Sequence, residues 1–312
     1  MKSLKWENVS SLTETTTTFY EMTDEQTSAA PSEIPKAAEV MIIIIYSTVL
    51  VGGAVGIVLM SSCLMKRRSN TMTSVAIINL VVIHTVFVLT LPFRIAYFTT
   101  RQWNFKFVFC KIVSSIIHIH MYLTFLFYMA ILGTRYVCFF MNRNEIIFTN
   151  KYWAVISSAT VWIVTIVGIL PPYFLKYGQT ANNTYNETQC FNFQKEFENV
   201  GVTTLNYIVI TLVIILVAAL LACQAIMAAK VLKKIRGSWQ GQQDVGAVLK
   251  NLPFLLILLI CYFPYHIFRI YYIKNSPSSN NSTELVMHNE AFLAATGFSC
   301  FDLLVILLIK LR

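Results

Sequence analysis

The chain has 312 residues, of which 56% are hydrophobic and only 12% charged, with a formal net charge of +9. A soluble domain carries about 25% charged residues, so this composition excludes an ordinary soluble enzyme, a disordered chain and a collagen-like fibre. A membrane protein is the class that remains.

Residues 1–40 are polar, rich in Thr, Glu and Ser, and contain no apolar signal-peptide core before Met41. They are expected to be a disordered N-terminal segment. Seven long apolar runs follow, at roughly 41–65, 72–98, 108–140, 152–174, 202–232, 249–273 and 289–309. Each approaches or exceeds the ~20 residues a helix needs to cross the hydrocarbon core. Barrel strands would instead be short and alternating. The expected fold is therefore an all-α membrane protein, a seven-transmembrane helix bundle over 41–309, with 310–312 as a minimal end. Seven cysteines are an odd and sparse set, which allows one or two structural bridges at most.

Charge placement sets the expected orientation. With the N-terminus outside, the cytoplasmic face receives Lys66, Arg67, Arg68, Arg143, Lys151, Lys230, Lys233, Lys234, Arg236, Lys310 and Arg312, against two acids, Glu145 and Asp244. The opposite face holds most of the carboxylates, including Glu187, Glu196, Glu198, Glu284 and Glu290. The basic balance therefore reads as membrane topology facing anionic lipid, with no nucleic-acid partner. Glycosylation sequons at Asn8, Asn182, Asn186, Asn280 and Asn281 all fall on the segments assigned outside.

Residue spacing adds a more specific signal. Cys110 opens the third run, and Arg135-Tyr136 ends it 25 residues later; Cys190 lies in the long segment after the fourth. Asn79-Leu80 marks the second run, Trp162 with Pro172 the fourth, and Cys261-Tyr262-Phe263-Pro264-Tyr265-His266 the sixth. Over roughly 45–306 this pattern resembles the class A, rhodopsin-like G-protein-coupled receptors. The phrases Leu91-Pro92-Phe93-Arg94 and Phe263-Pro264-Tyr265-His266 resemble the branch holding purinergic and lipid receptors.

The resemblance implies a Cys110–Cys190 disulfide pinning the outer segment to the third helix. It also implies that Arg135, with Tyr136, meets a heterotrimeric G-protein when the helices open. A snorkelling Arg at the lipid interface is the plainer alternative. Thr134 stands where the family usually places an acid, so the local partner of Arg135 is missing and elevated basal activity is expected. Asp244 is the expected substitute partner. Pro264 is expected to kink the sixth helix, and Tyr262 replaces the usual Trp beneath the pocket.

Other departures cluster in one polar network. His84 replaces the family's sodium-binding Asp, Asp302 keeps its place without the following Pro and Tyr, and Ile57 replaces an Asn. Sodium regulation is therefore expected to be absent, with His84 and Asp302 forming a buried pair, because a lone carboxylate in lipid is costly. The plainer alternative is a neutral His packed against a protonated Asp. No metal ligands and no cofactor are expected. The sequence ends ten residues after Asp302, so the family's amphipathic eighth helix is not expected in it, a truncated gene model being the alternative.

Ile117 stands where amine receptors carry an Asp, and Thr296 where retinal proteins carry a Lys, so neither ligand is expected. Arg94, Tyr97, His118, Tyr265, His266 and Arg269 are the expected pocket residues, and the His266-x-x-Arg269 spacing resembles the phosphate-meeting pattern of nucleotide receptors. An anionic ligand follows, whether nucleotide, lipid or peptide, since Arg suits bidentate anion recognition. The alternative for Arg94 and Arg269 is pairing with Glu187, Glu284 or Glu290. Lys230, Lys233, Lys234 and Arg236 would meet the G-protein or membrane lipid. A plasma-membrane receptor with no chemical step is the leading expectation. A non-signalling partner of another receptor is the second, a transporter the third.

Overall fold

The computed structural model describes residues 33–66, 72–141, 151–176, 190–191, 197, 199–235, 240–275 and 282–311. The five sequons lie outside the described residues, as does most of the expected N-terminal segment. Ile34–Arg312 cluster as one unit by contacts, apart from Met1–Glu33.

Every described element is helical. In chain order they are α1 (Glu33–Lys66), α2 (Met72–Thr100), α3 (Phe107–Met141), α4 (Lys151–Lys176) and α5 (Val200–Ile235). The sixth apolar run is α6 (Gln240–Ile257), a π-helical turn (Leu258–Tyr262) and α7 (Phe263–Asn275). The seventh is α8 (Ser282–Ala295), a 3₁₀ segment (Thr296–Phe301) and α9 (Asp302–Leu311). Helix is forced here because hydrocarbon offers no partner to backbone amides. Side-chain hydroxyls obey the same constraint by bonding their own helix, as Thr48 does to Ile44 O, Thr85 to Val81 O and Thr160 to Ile156 O.

Six of the apolar stretches are long enough to cross a membrane, and Ala154–Gly168 in α4 is a shorter apolar helix. α3 is the central helix: 61% of its most apolar window is buried, against 28% for α1 and α5. It packs on α2, α4, α5, α6 and the 3₁₀ segment. Large apolar side chains instead face outward on the peripheral helices, among them Val51, Ile163, Val164 and Leu232. In water such a surface would drive aggregation; in lipid it is the outer face of the bundle.

Two irregular turns set which side chains point inward. Pro264 has no N–H and its ring crowds the carbonyl one turn earlier. The chain widens just before it, and the Phe263 N–H bonds back to Leu258 O in a π-type step. The 3₁₀ segment tightens the seventh run, with the Asp302 N–H on Ser299 O. It fits because glycines stand at its close contacts, Gly297 within it and Gly53 opposite it. A Cβ on Gly297 would lie 3.2 Å from the Phe87 ring, and one on Gly53 would lie 3.0 Å from Val88 and 3.3 Å from Cys300.

Candidate functional site

Buried polar groups on these apolar helices collect at three levels. The first lies toward the Cys110–Cys190 disulfide, whose Cα atoms are 5.9 Å apart. It ties the residues after α4 to the start of α3. Beside it is a cavity of about 210 Å³ lined by Tyr97, Phe98, Arg101, Phe191, Met287 and Glu290, with Glu39 and Cys190 at its wall. The Cys190 N–H donates to the Tyr97 hydroxyl at 3.3 Å. Arg101 ends α2 with its N–H on Tyr97 O and takes φ 56°, and Phe191 takes φ 66°. These left-handed non-glycine residues are costly conformations, and both line this one cavity. Arg101 donates from Nε at 3.0 Å to Glu39, an ion pair whose Arg side chain is 59% exposed.

Arg94 does not line the cavity. It is fully buried behind it, in an ion pair with Glu290. The Tyr46 hydroxyl donates to Glu290 Oε1 at 2.6 Å and accepts from Arg94 Nη1 at 3.0 Å, while Arg94 Nη2 reaches Val113 O at 3.3 Å. Its guanidinium also lies 4.4 Å from the centroid of the Phe191 ring. Of the six residues expected in a ligand pocket, Tyr97 lines this cavity. Arg269 is buried, donates to Asn289 Oδ1 at 3.0 Å and stacks over Phe197 and Tyr272. His118 bonds Ser114 O on its own helix at 2.9 Å. Tyr265 and His266 are buried with ring centroids 5.1 Å apart, and Tyr122 packs on His266.

The second level is mid-bundle. His84 Nε2 lies 3.1 Å from Asp302 Oδ1, and the Tyr128 hydroxyl donates to Asp302 Oδ2 at 2.8 Å. The carboxylate thus has a partner on each oxygen in a fully enclosed place. His84 Nδ1 is also 2.9 Å from His120 Nε2, a contact the sequence did not suggest. The Tyr262 ring is buried just beside this level, against Tyr128. The marker residues of the second and fourth runs meet nearby, with Trp162 Nε1 donating to Asn79 Oδ1 at 2.9 Å.

The third level is at the Arg135 end of α3. Arg135 Nη1 donates to Lys250 O at 2.8 Å and to Asn251 Oδ1 at 3.1 Å. Asn251 Nδ2 donates to Gln224 Oε1 at 3.2 Å, and the Tyr136 hydroxyl donates to the same oxygen at 3.1 Å. Gln224 Nε2 closes the ring on Val248 O at 3.1 Å. Three helices, α3, α5 and α6, are thereby clasped by neutral amides around one guanidinium. The expected partner Asp244 sits in α6, and its side chain lies outside the described residues. Thr134 bonds Ala130 O on its own helix. Gln224 and Asn251 were missed in the sequence, although a lone amide in an apolar run is itself a signal of interhelical bonding. Of the basic residues of α5, Lys230 lies 4.8 Å from the Phe140 ring centroid; Arg236 lies outside the described residues.

Comparison with known proteins adds family evidence to this geometry. The model of the 7 transmembrane receptor (rhodopsin family) matches residues 55–302. The chain is 42% identical over 264 residues to Probable G-protein coupled receptor 141 of Homo sapiens, covering 84% of this chain and 86% of that relative. It is 30% identical over 250 residues to Lysophosphatidic acid receptor 6 of Homo sapiens, covering 77% and 71% respectively. It is 24% identical over 257 residues to 2-oxoglutarate receptor 1 of Mus musculus, covering 81% and 72%.

Proposed function

Because the chain belongs to the rhodopsin family of seven-transmembrane receptors, we propose that it transduces an extracellular anionic ligand to heterotrimeric G-proteins. It is a multi-pass plasma-membrane protein. In this proposal α4 completes seven spans, the disulfide end faces outward, and the Arg135 end faces the cytoplasm.

The observation that carries the proposal is the amide clasp on Arg135. It joins α3, α5 and α6 at the end where a G-protein would dock. Two of the acceptors that hold Arg135 move with α6, so an outward shift of that helix loosens the guanidinium. Signalling is then a population shift between clasped and open bundles, driven by a ligand that binds the open one better. The π turn and Pro264 give the sixth run a place to bend.

The ligand class rests on the relatives and on the outer cavity. Two relatives carry anions in their names, lysophosphatidic acid and 2-oxoglutarate. Arg101 is the cation lining the outer cavity. Its exposed pair with Glu39 is worth at most ~1 kcal/mol, so a ligand carboxylate or phosphate can replace Glu39 there. Arg94 is a positioning residue behind that wall.

The test is ligand-free activation across the Gα families in cells, comparing wild type with Arg135→Ala at matched surface expression. A basal signal lost on mutation supports the receptor. A signal indifferent to Arg135→Ala favours a non-signalling partner instead. Lysophospholipid and dicarboxylate panels then test the ligand class, with Arg101→Ala expected to abolish any response.

A further inference from the structure

Three metal-ligating side chains from three separate segments meet where the bundle is most enclosed. His84 on α2, His120 on α3 and Cys300 in the 3₁₀ segment are each fully buried. Their ligand atoms all lie within 4.8 Å of one another. His84 Nδ1 is 2.9 Å from His120 Nε2, and Cys300 Sγ is 3.7 Å from that same nitrogen. A tetrahedral zinc with bonds of ~2.1 Å to nitrogen and ~2.3 Å to sulfur sets its N···N edge at ~3.4 Å and its N···S edge at ~3.6 Å. To admit it, the two imidazole nitrogens must part by about half an ångström, and the His84–Cys300 edge, at up to 4.8 Å, must close to ~3.6 Å. We infer that His84, His120 and Cys300 form a binding site for a zinc(II) ion in the core of the bundle.

The donor set selects the metal. Sodium, magnesium and calcium prefer oxygens, whereas two imidazoles and a thiolate suit zinc. Three protein donors leave a fourth position for water. The surroundings also fit. His84 turns its other nitrogen, Nε2, toward Asp302, whose second oxygen accepts from Tyr128. This carboxylate–imidazole arrangement fixes ring orientation behind a metal. His120 is held by stacking on Phe87, with centroids 4.1 Å apart, and its Nδ1 has no hydrogen-bond partner among the described residues. On binding, Cys300 loses its thiol proton to solvent and the His120 proton resides on Nδ1. The dication, the thiolate and the Asp302 carboxylate then sum to zero charge.

The ion would tie α2 and α3 to the irregular turn of the seventh run. It would therefore favour the arrangement in which all three donors are in reach. Sodium is not the cation this core is built for, yet a cation site of another kind is assembled there, with His120 and Cys300 180 positions apart.

Because the donors are sealed from solvent, the ion is loaded during folding. The full chain is therefore expressed in zinc-supplemented medium, purified in detergent with a chelator wash, and its metal content measured by mass spectrometry. Wild type and the control Cys261→Ser should retain about one zinc per chain, and Cys300→Ser and His120→Asn should lose it. Asp302→Asn should weaken affinity ~10–100-fold while leaving the ligands in place. Wild type loaded with cobalt(II) should show a thiolate-to-cobalt charge-transfer band, which decides the matter even if a variant fails to fold. Wild type without zinc, zinc content unchanged in Cys300→Ser, or cobalt without the thiolate band would each overturn the site.

Discussion

Arg94 and Glu290 form an ion pair inside the bundle, and the Tyr46 hydroxyl bonds to both. The three residues come from α2, α8 and α1, so the pair joins three helices directly beneath the outer cavity. A charge left alone there loses its partner in a place largely closed to water.

Removing one partner should therefore be worse than removing both. Arg94→Met or Glu290→Leu alone is expected to cost about 3–5 kcal/mol, and the double variant considerably less. Thermal unfolding of the purified protein in one detergent measures this. Equal, additive losses would mean that the pair is not coupled as the geometry requires.

The clasp predicts the opposite of a loss. Asn251→Ala removes one acceptor from Arg135 and the bridge to Gln224. A hydrogen bond to a charged group contributes about 1.5–3 kcal/mol, and Arg135 keeps its bond to Lys250 O. At the lower end, the open fraction should rise roughly tenfold. Ligand-free signalling per surface receptor reports it, and an unchanged or lowered signal would refute the role given to the clasp.

The disulfide closes a sequence separation of 80 residues. Replacing Cys110 and Cys190 together by Ser should cost about 2–5 kcal/mol. The consequence should be local as well as global, because Phe191 beside Cys190 stacks on Phe98 and covers Arg94. Lower thermal stability and a lost ligand response are both expected, and a double-Ser receptor of undiminished Tm would contradict it.

Trp162→Phe keeps the ring and deletes the donor to Asn79. The expected loss is about 1 kcal/mol, the typical net value of one such bond. With Asn79→Leu added, most of it should return, since no amide oxygen is then left unpaired. A Trp162→Phe protein as stable as wild type would show that this bond carries nothing.

What the sequence alone determined was local or composition-driven. Length of apolar run decides helix in lipid, so the expected spans match α1–α5 and the two broken runs to within several residues at most ends. The larger shifts are at the starts of α1, α6 and α8, where helix extends into polar sequence that hydropathy does not mark. Family spacing was equally legible, because Cys110, Arg135, Trp162 and Pro264 are read one residue at a time. The need of Asp302 for a partner followed from the cost of a lone carboxylate in lipid, and His84 as that partner from the family resemblance, which makes the two positions neighbours.

The tertiary structure decided which polar groups meet. Arg94 and Glu290 are 196 residues apart, and His120 and Cys300 are 180 apart. Their encounter depends on how each helix is rotated about its axis. That rotation is changed by the π turn at Leu258–Tyr262 and the 3₁₀ turn at Thr296–Phe301, since each departs from 3.6 residues per turn. The same cause explains the third level. The sequence pointed Arg135 toward the sixth run and chose Asp244. Among the described residues it bonds Asn251, seven residues further along α6 on the same helical face as Asp244, whose side chain lies outside them. Hydropathy and spacing locate a face, and only packed helices choose the residue on it.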